Sequence, residues 1–501
     1  MDINLGKLFT NRAFLSPDLE ACVGKDYRYT FGEMNQRINR FASFLTETGI
    51  RPGDRIAILA KNNEQVLTAL FGAAKTGIIT AVLNFRLAPP ELTYILNDCK
   101  ARLLIYDDAF CDTTSALKSG TPVEMFISIG GTTDDRSFEN ILMDMDDAEQ
   151  EPTGSGSDPA VLMYTSGTTG KPKGAVLTHD NCFWAAVGLV HSLDWGYKYR
   201  YLSVAPLFHI GGLAPIFANV HVGCSMIFMP DFDPAAAWEI LEKERINFAM
   251  TVPAMLQYMA MVPGAEKRDL SQLRHLICGG APVPKPLITA YGQKNIAVYQ
   301  VYGATEYSGA ITFWTYDMGM EKANSAGKVV FHGSVRITDP ISGKACALGE
   351  VGEIWLAGPQ VFKGYWQNPE ASQKALVDGW YRTGDLGTLD EEGFVRVVDR
   401  LKDMIISGGE NIYPAEIESV LMGHPEISDA AVVGKPDDRW GEVPVAFVVK
   451  NKESVLNEAE IIEICRSNLA GFKCVKAVHF VDAVPRNTLG KVLKRSLRDQ
   501  V

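Results

Sequence analysis

The chain of 501 residues carries 48 Lys+Arg against 60 Asp+Glu, a net charge of −12, with 47% hydrophobic and 22% charged residues. That balance excludes a disordered or fibrous chain, and the acidic excess works against a broad footprint on nucleic acid or anionic lipid. At roughly 150 residues per domain, the length gives about three folding units.

Thr30-Phe31-Gly32-Glu33 has the spacing of a capping box, and Met34, Ile38, Phe41 and Leu45 follow at helical intervals until Gly49. An apolar run Ile56–Ala60, a helical stretch from about Glu64 to Lys75, and a second apolar run Ile78–Leu83 predict a parallel strand–helix–strand unit. Leu103–Tyr106 extends the alternation, whereas the Asp-, Glu-, Gly- and Ser-rich stretch Gly130–Asp158 reads as a surface connection. Strands and helices resume from Ala160 to about Val330. Within them Ile210–Met229 is the most membrane-like segment, but it holds Gly211, Gly212, Pro215, Asn219 and His221 and predicts a buried helix plus strand. Gly333–Val398 reads as β-rich, with turns at Asp339-Pro340 and Asp378-Gly379. Past Lys402 the pattern predicts a helix from Pro414, strands near Ala430–Val433 and Val443–Val449, a helix near Glu458–Leu469 and a strand near Val478. About 100 residues suffice for a small α+β domain. No internal repeat is evident.

Nine cysteines (Cys22, Cys99, Cys111, Cys182, Cys224, Cys278, Cys346, Cys465 and Cys474) are scattered and never spaced as Cys-x-x-Cys. Neither a disulfide framework nor a structural zinc site is expected, and a cytoplasmic setting suits them. Met1–Phe14 has no basic region followed by an apolar run, so no secretory signal is expected.

The segment Tyr164-Thr165-Ser166-Gly167-Thr168-Thr169-Gly170-Lys171-Pro172-Lys173-Gly174 concentrates glycines, hydroxyls and two lysines. Glycines let backbone N–H groups turn towards an anion, hydroxyls add donors, and lysines neutralise charge, so polyphosphate is the natural ligand. It is not a Walker loop, since Pro172 follows Lys171 where Ser or Thr is required, and Ser166 is not in a Gly-x-Ser-x-Gly elbow.

With this segment, the chain resembles the adenylate-forming superfamily of acyl-CoA synthetases, carrier-protein adenylation domains and firefly-type luciferases. Further signatures follow in order: Pro206-Leu207-Phe208-His209, Gly279-Gly280-Ala281-Pro282, Tyr302-Gly303-Ala304-Thr305-Glu306, Tyr381-Arg382-Thr383-Gly384-Asp385, Asp399-Arg400-Leu401-Lys402-Asp403 and Pro485-Arg486-Asn487-Thr488-Leu489-Gly490-Lys491. The resemblance covers essentially the whole chain. It implies an α/β fold with a large N-terminal domain over residues 1–400, made of two α/β layers plus a small β-rich subdomain. A small mobile α+β domain follows over residues 403–501, with a hinge at 400–402.

The resemblance also implies roles and cofactors, namely ATP, Mg²⁺ and coenzyme A. Thr165, Ser166, Gly167, Thr168, Thr169, Gly170, Lys171 and Lys173 would cradle the phosphates. Thr305 would contact them and Glu306 would hold Mg²⁺, a hard cation that takes carboxylate and phosphate oxygens. Tyr302 and Gly303 would face the adenine, opposite a wall of Gly280, Ala281 and Pro282. Asp385 would accept from the ribose hydroxyls, with Arg400 assisting. Lys491 would stabilise the transition state in which a carboxylate attacks the α-phosphate, because two anions must meet there. Lys402 matches the hinge. Ser407, Gly408 and Gly409 would then swing in for thioester formation. Trp440 and Phe472 would neighbour the CoA adenine, and Arg86, Lys473 and Lys476 its phosphates, although Cys474 and Val475 replace the basic or bulky residue and the proline of related enzymes.

The acyl pocket implied by the family would be lined by Val252, Leu256, Met259, Gly303, Ala304, Ala310 and Ile311, with His209 as a gate at its entrance. No charged residue stands there for a second carboxylate or an amino group. The reaction implied is AMP-forming activation of an apolar acid, a medium- to long-chain fatty acid, followed by CoA thioester formation. An aromatic acid of the benzoate or cinnamate type, and a free-standing protein that loads a carrier protein, are the alternatives. Oligomeric state and peripheral membrane contact stay open, between monomer and homodimer and between bound and unbound.

Overall fold

The strand–helix alternation builds two sheets that share one strand order. In the computed structural model, which describes residues 3–165, 171–407, 410–452, 454–486, 490 and 492–501, one sheet places its strands spatially as Gly364–Tyr365, Lys173–Thr178, Pro159–Thr165, Ile79–Val82, Arg55–Leu59, Ala101–Tyr106, Met125–Ser128 and Arg136–Ser137. Its last five strands are parallel, and their chain ranks read second, first, third, fourth, fifth. In the other large sheet Ser225–Phe228, Arg200–Ser203, Phe248–Thr251, His275–Gly279 and Ala297–Ala304 are parallel in the same order. The repeat is one of topology.

The helices form where the pattern placed them. Both halves of the Thr30–Glu33 capping box are made, and Met34, Ile38, Phe41 and Leu45 of the helix Phe31–Glu47 are fully buried. Asn63 caps the helix Glu64–Lys75 through the Val66 amide. Ile210–Val222 is a buried helix ended by left-handed Gly223, with the strand Ser225–Phe228 after it. No helix among the described residues is long and apolar enough to cross a membrane.

Gly130–Asp158 differs from a plain surface connection. It contains the helix Phe138–Asp144, which buries Phe138, Ile141 and Leu142. Several of its carboxylates are partners of cations rather than solvated groups: Glu149 meets the buried Lys75 ammonium at 2.7 Å, Glu139 meets Arg37 at 2.6 Å, and Asp147 meets Arg40 at 3.0 Å. Burial raises the Glu149 carboxyl, but bonds from Lys75, Asn35 and Thr10 outweigh it and hold the group at about 2.

By contact the chain falls into two compact units, residues 1–334 with 356–381, and residues 335–355 with 382–501. The first holds both large sheets. The second holds most of a five-stranded antiparallel sheet, including Trp380–Leu389 paired with Val395–Arg400. Asp378 and Gly379, both at positive φ, make the two-residue turn into Trp380–Leu389. The second unit also holds the sheet of Ile405–Ser407, Glu410–Ile412, Ile427–Asp437, Gly441–Lys450 and Ala477–Phe480. The helices Pro414–Met422 and Glu458–Asn468 cover one face of it, over a core that includes Ile405, Ile417, Val432 and Ile461.

Buried histidines make this fold acid-sensitive. His275 stacks between Phe248 at 5.6 Å and Tyr299 at 4.7 Å, and neither ring nitrogen has a partner among the described residues. His179 Nδ1 accepts from the Leu5 amide. Burial pushes both imidazoles down to about 4. The unfolded chain, with its histidines near 6.5, therefore binds more protons than the native state between about pH 6.5 and 4, and stability falls as pH falls through that window. His275→Phe should flatten the slope by on the order of 1–3 kcal/mol between pH 7 and 4.5, read from urea melts at a series of pH values.

Candidate active site

In the second large sheet, four parallel strands deliver their carboxyl ends to one edge. Arg200–Ser203 leads into Phe208-His209, Phe248–Thr251 into Val252-Pro253, His275–Gly279 into Gly280-Ala281-Pro282, and Ala297–Ala304 into Thr305-Glu306. The order reverses between Arg200–Ser203 and Phe248–Thr251, and a crevice at such a reversal is where open α/β sheets bind ligands. Gly280 has φ 79°, and a Cβ on it would meet Val252 Cγ1 at 3.6 Å. A Cβ on Gly303 would lie 2.5 Å from the Gly309 carbonyl, so the bulge between Tyr302 and Gly303 requires glycine. Thr305–Tyr307 is a single 3-10 turn closed by left-handed Ser308.

The strands before and after the glycine-rich stretch pair antiparallel. Thr165 pairs with Lys173 and Tyr164 with Gly174, and Tyr164 Oη donates to Asp98 at 2.6 Å. Ser166, Gly167, Thr168, Thr169 and Gly170, which form that stretch in sequence, lie outside the described residues. Lys171 is exposed, with Nζ 5.6 Å from the Tyr94 ring, and Lys173 Nζ lies 5.1 Å from the Tyr365 ring. Tyr365 Oη in turn donates to Glu306 Oε1 at 2.8 Å. One aromatic residue thus links the second lysine of the segment to the carboxylate at the end of Ala297–Ala304. No group of three or more His, Cys, Asp or Glu that could hold a metal occurs among the described residues. A single carboxylate beside a cationic loop suits Mg²⁺, which is commonly held by one or two carboxylates plus substrate phosphates rather than by an all-protein cage.

Beyond the end of Arg200–Ser203, Phe110, Phe85, Phe208 and His209 form a continuous aromatic row with ring separations of 5.1, 4.9 and 4.4 Å. The Arg86 guanidinium lies over Phe85 and Phe208. Burial, helped by the Arg86 charge, pushes the His209 imidazole down to about 4, and its Nε2 has no partner among the described residues. Of the apolar residues expected along the acyl group, Leu256, Met259 and Ile311 are fully buried, while Val252, Gly303, Ala304 and Ala310 keep some exposure. Gly211, absent from that set, stands two residues after His209 and is partly exposed. A Cβ there would touch only Met250 Cε, at 3.5 Å, so the first turn of the helix Ile210–Val222 leaves space against a flexible thioether. The paired glycines Gly211-Gly212 after His209 were the available signal.

In the second unit, Asp385 and Arg400 pair in register across two strands, and Arg400 Nε meets Asp385 Oδ1 at 2.5 Å. Asp399 accepts from Arg400 N and from Ala415 N, the latter in the first turn of Pro414–Met422. Lys402 is exposed on the turn Leu401–Asp403, and Asp403 pairs with Arg498. Ser407 is buried and pairs with Glu410 and Gly441, whereas Gly408 and Gly409 lie outside the described residues. Arg486 bridges to Val492, pairs with Asp429 at 2.6 Å and donates to the Gly490 carbonyl. These bonds frame the stretch that contains Lys491, itself outside the described residues. Trp440 and Phe472 are exposed, with Arg439 over the Trp440 ring at 4.8 Å. Lys473 is held by Glu416 at 2.7 Å, and Lys476 is exposed. Cys474 and Val475 belong to the core of this unit, which accounts for the lack of a basic side chain there.

Residues 9–366 match the family model of the AMP-binding enzyme, and residues 416–491 match that of the AMP-binding enzyme C-terminal domain. This chain is an AMP-binding enzyme of the adenylate-forming superfamily. It is 40% identical to the long-chain-fatty-acid–CoA ligase FadD13 of Mycobacterium tuberculosis, over 99% of this chain and 98% of that protein. It is also 40% identical to a feruloyl-CoA synthase of Amycolatopsis sp, with the same coverage. Among solved structures it resembles the o-succinylbenzoate coenzyme A synthetase MenE of Bacillus subtilis in complex with ATP and a magnesium ion, with a TM-score of 0.87, 32% identity, and 98% and 99% of the two chains covered. The AMP-binding enzyme is accordingly mixed α/β, with a large N-terminal and a small C-terminal region.

The His209 imidazole of this AMP-binding enzyme is neutral throughout the physiological range. Between about pH 5.5 and 8, His209→Gln should change the height but not the shape of the kcat/KM profile, measured as pyrophosphate release. A limb that disappears in the variant would contradict a neutral ring.

Proposed function

We propose that this AMP-binding enzyme is an AMP-forming acid–CoA ligase that activates an apolar carboxylic acid, a medium- to long-chain fatty acid. Acid and ATP give acyl-AMP and pyrophosphate, and acyl-AMP and CoA then give acyl-CoA and AMP. The observation that carries this reading is the edge that gathers His209, Val252, Gly280, Tyr302 and Glu306, with Lys173 reaching it through Tyr365. Full-length likeness to acid–CoA ligases supports the acceptor.

The chain's residues divide the work by charge. The lysines and hydroxyls of residues 165–173 neutralise the β- and γ-phosphates, Tyr302 and the Gly280–Pro282 wall hold the adenine, and Asp385 with Arg400 takes the ribose. Mg²⁺ bound at Glu306, with Thr305 on the phosphates, would draw charge from the departing pyrophosphate. Lys491 contacts both the attacking carboxylate and the α-phosphate, so its charge counts most where the two anions meet. For the second step the pivot lies at 400–402, with Lys402 absorbing the backbone change and Ser407–Asn411 approaching the pantetheine arm. Arg86, Trp440, Phe472, Lys473 and Lys476 would meet the CoA nucleotide.

An alkyl chain suits the surroundings of Gly211, where a Cβ would meet the flexible Met250 Cε at 3.5 Å. The equal identity to a feruloyl-CoA synthase supports the aromatic alternative. Acid-dependent pyrophosphate release across fatty acids of graded length and several cinnamates, with and without CoA, decides between them. The expected outcome is a fatty-acid optimum with CoA-dependent turnover, and Gly211→Phe should move that optimum to shorter chains by filling the space against Met250. A cinnamate optimum would replace the substrate, and turnover indifferent to CoA would replace the acceptor.

Lys491→Ala should lower acid-dependent pyrophosphate formation by a factor of about 10² or more while leaving conversion of supplied acyl-AMP and CoA within about threefold. Equal loss in both half-reactions would overturn the division of labour.

A further inference from the structure

The turn that carries Glu306 is tied by several bonds to one later segment of chain. The Tyr307 hydroxyl donates to the Ala357 carbonyl at 2.9 Å, the Ser308 hydroxyl to the Gln360 carbonyl at 2.9 Å, and the Phe362 amide to the Glu306 carbonyl at 2.9 Å. Tyr365 Oη completes the set on the carboxylate itself, at 2.8 Å from Oε1. Gly364 and Tyr365 are an edge strand paired with Val176 and Ala175, on the strand that begins with Lys173, so the same residue is fixed relative to that strand. Lys173 lies against its ring. Three bonds to main-chain groups set the height of the turn, and among the described residues the phenol bonds the carboxylate itself.

We propose that Tyr365 is a positioning residue for the metal: its hydroxyl occupies Glu306 Oε1 and thereby fixes the carboxylate plane, so that Oε2 is presented to Mg²⁺ beside the phosphates that Lys173 neutralises. This rests on Glu306 as the Mg²⁺ carboxylate in the reading above. A carboxylate torsion is broad and soft, and a cation with near-octahedral demands gains from having it preset. Because Lys173 and Glu306 meet the same ring, loss of the phenol hydroxyl detaches the carboxylate while leaving the lysine's aromatic contact in place. The effect of Tyr365 on nucleotide binding is therefore confined to the metal-dependent part.

The test is calorimetric titration, without acid and so without turnover, of ATP in EDTA and of ATP with saturating Mg²⁺. It is run on the full chain, on Tyr365→Phe, on Glu306→Gln and on the double variant. The readout is the ratio of the two dissociation constants, the gain in affinity that the metal supplies. Tyr365→Phe should cut that gain about fivefold or more while metal-free ATP binds within about twofold of the parent, and adding it to Glu306→Gln should cost nothing further. In turnover, half-saturating Mg²⁺ should rise by a similar factor, with kcat at saturating Mg²⁺ changed less than about twofold. An unchanged gain in Tyr365→Phe, an equal loss with and without metal, or an additive loss in the double variant each overturns the proposal. A full metal gain in Glu306→Gln overturns the metal assignment itself, and so fails distinguishably.

Discussion

The reversal of strand order between Arg200–Ser203 and Phe248–Thr251 is the constraint on which the first unit's chemistry depends. On either side of that point the right-handed crossovers leave towards opposite faces of the sheet, so no connection closes over the edge between them. The carboxyl ends of four parallel strands remain open there, and each is followed within a few residues by a chemistry-bearing group. Backbone geometry sharpens the arrangement: Gly280 takes a left-handed conformation, and the bulge at Gly303 lets the Gly309 main chain approach where a side chain would stand. Beyond the end of Arg200–Ser203, Phe85, Phe208 and His209 continue one aromatic row.

Charge in this enzyme is handled locally rather than globally. A chain with net charge −12 repels a polyphosphate and a carboxylate at long range, but screening confines that repulsion to about 10 Å in ordinary salt. Local charges are placed one by one: Lys171 and Lys173 follow the glycine-rich stretch, Arg86 stands over the aromatic row, and burial keeps His209 neutral. A neutral ring adds no positive charge beside Arg86.

Local patterns carried much of the fold. The Thr30–Glu33 box, the helix Glu64–Lys75, the Asp378-Gly379 turn and the helix–strand pair at 210–228 are set by residues within a turn or two of one another. The ordered motifs likewise pointed to three of the four strand ends at the edge, those at Phe208-His209, Gly280 and Thr305-Glu306. The shared strand order of the two sheets was not legible, because it depends on which strands pair at long range, and apolar strands buried on both faces look alike. Residues 130–158 misled for a related reason: Glu139, Asp147 and Glu149 have the composition of a solvated loop, and only the fold brings them to Arg37, Arg40 and Lys75. Tyr365 carries no sign in its own neighbourhood of the carboxylate it holds, which stands 59 positions earlier.

The same reasoning separates two kinds of polar tie around residues 399–403. Asp403 with Arg498 and Arg486 with Asp429 join residues that all follow 402, so a pivot at 400–402 would carry them as one body. Asp385 with Arg400 holds the near side. The bond from Ala415 N to Asp399 is different, because it spans the pivot, joining the chain before it to the first turn of the helix beyond. A change of backbone angle at Lys402 large enough to move that helix must break it. The carboxylate then leaves three helix-start donors with one acceptor fewer, at a typical cost of about 1 kcal/mol. That is small beside the burial within either body, yet large enough to bias an equilibrium between two arrangements several-fold. On the proposed reading, the Ala415–Asp399 bond would be the tie that a rotation about 400–402 has to release.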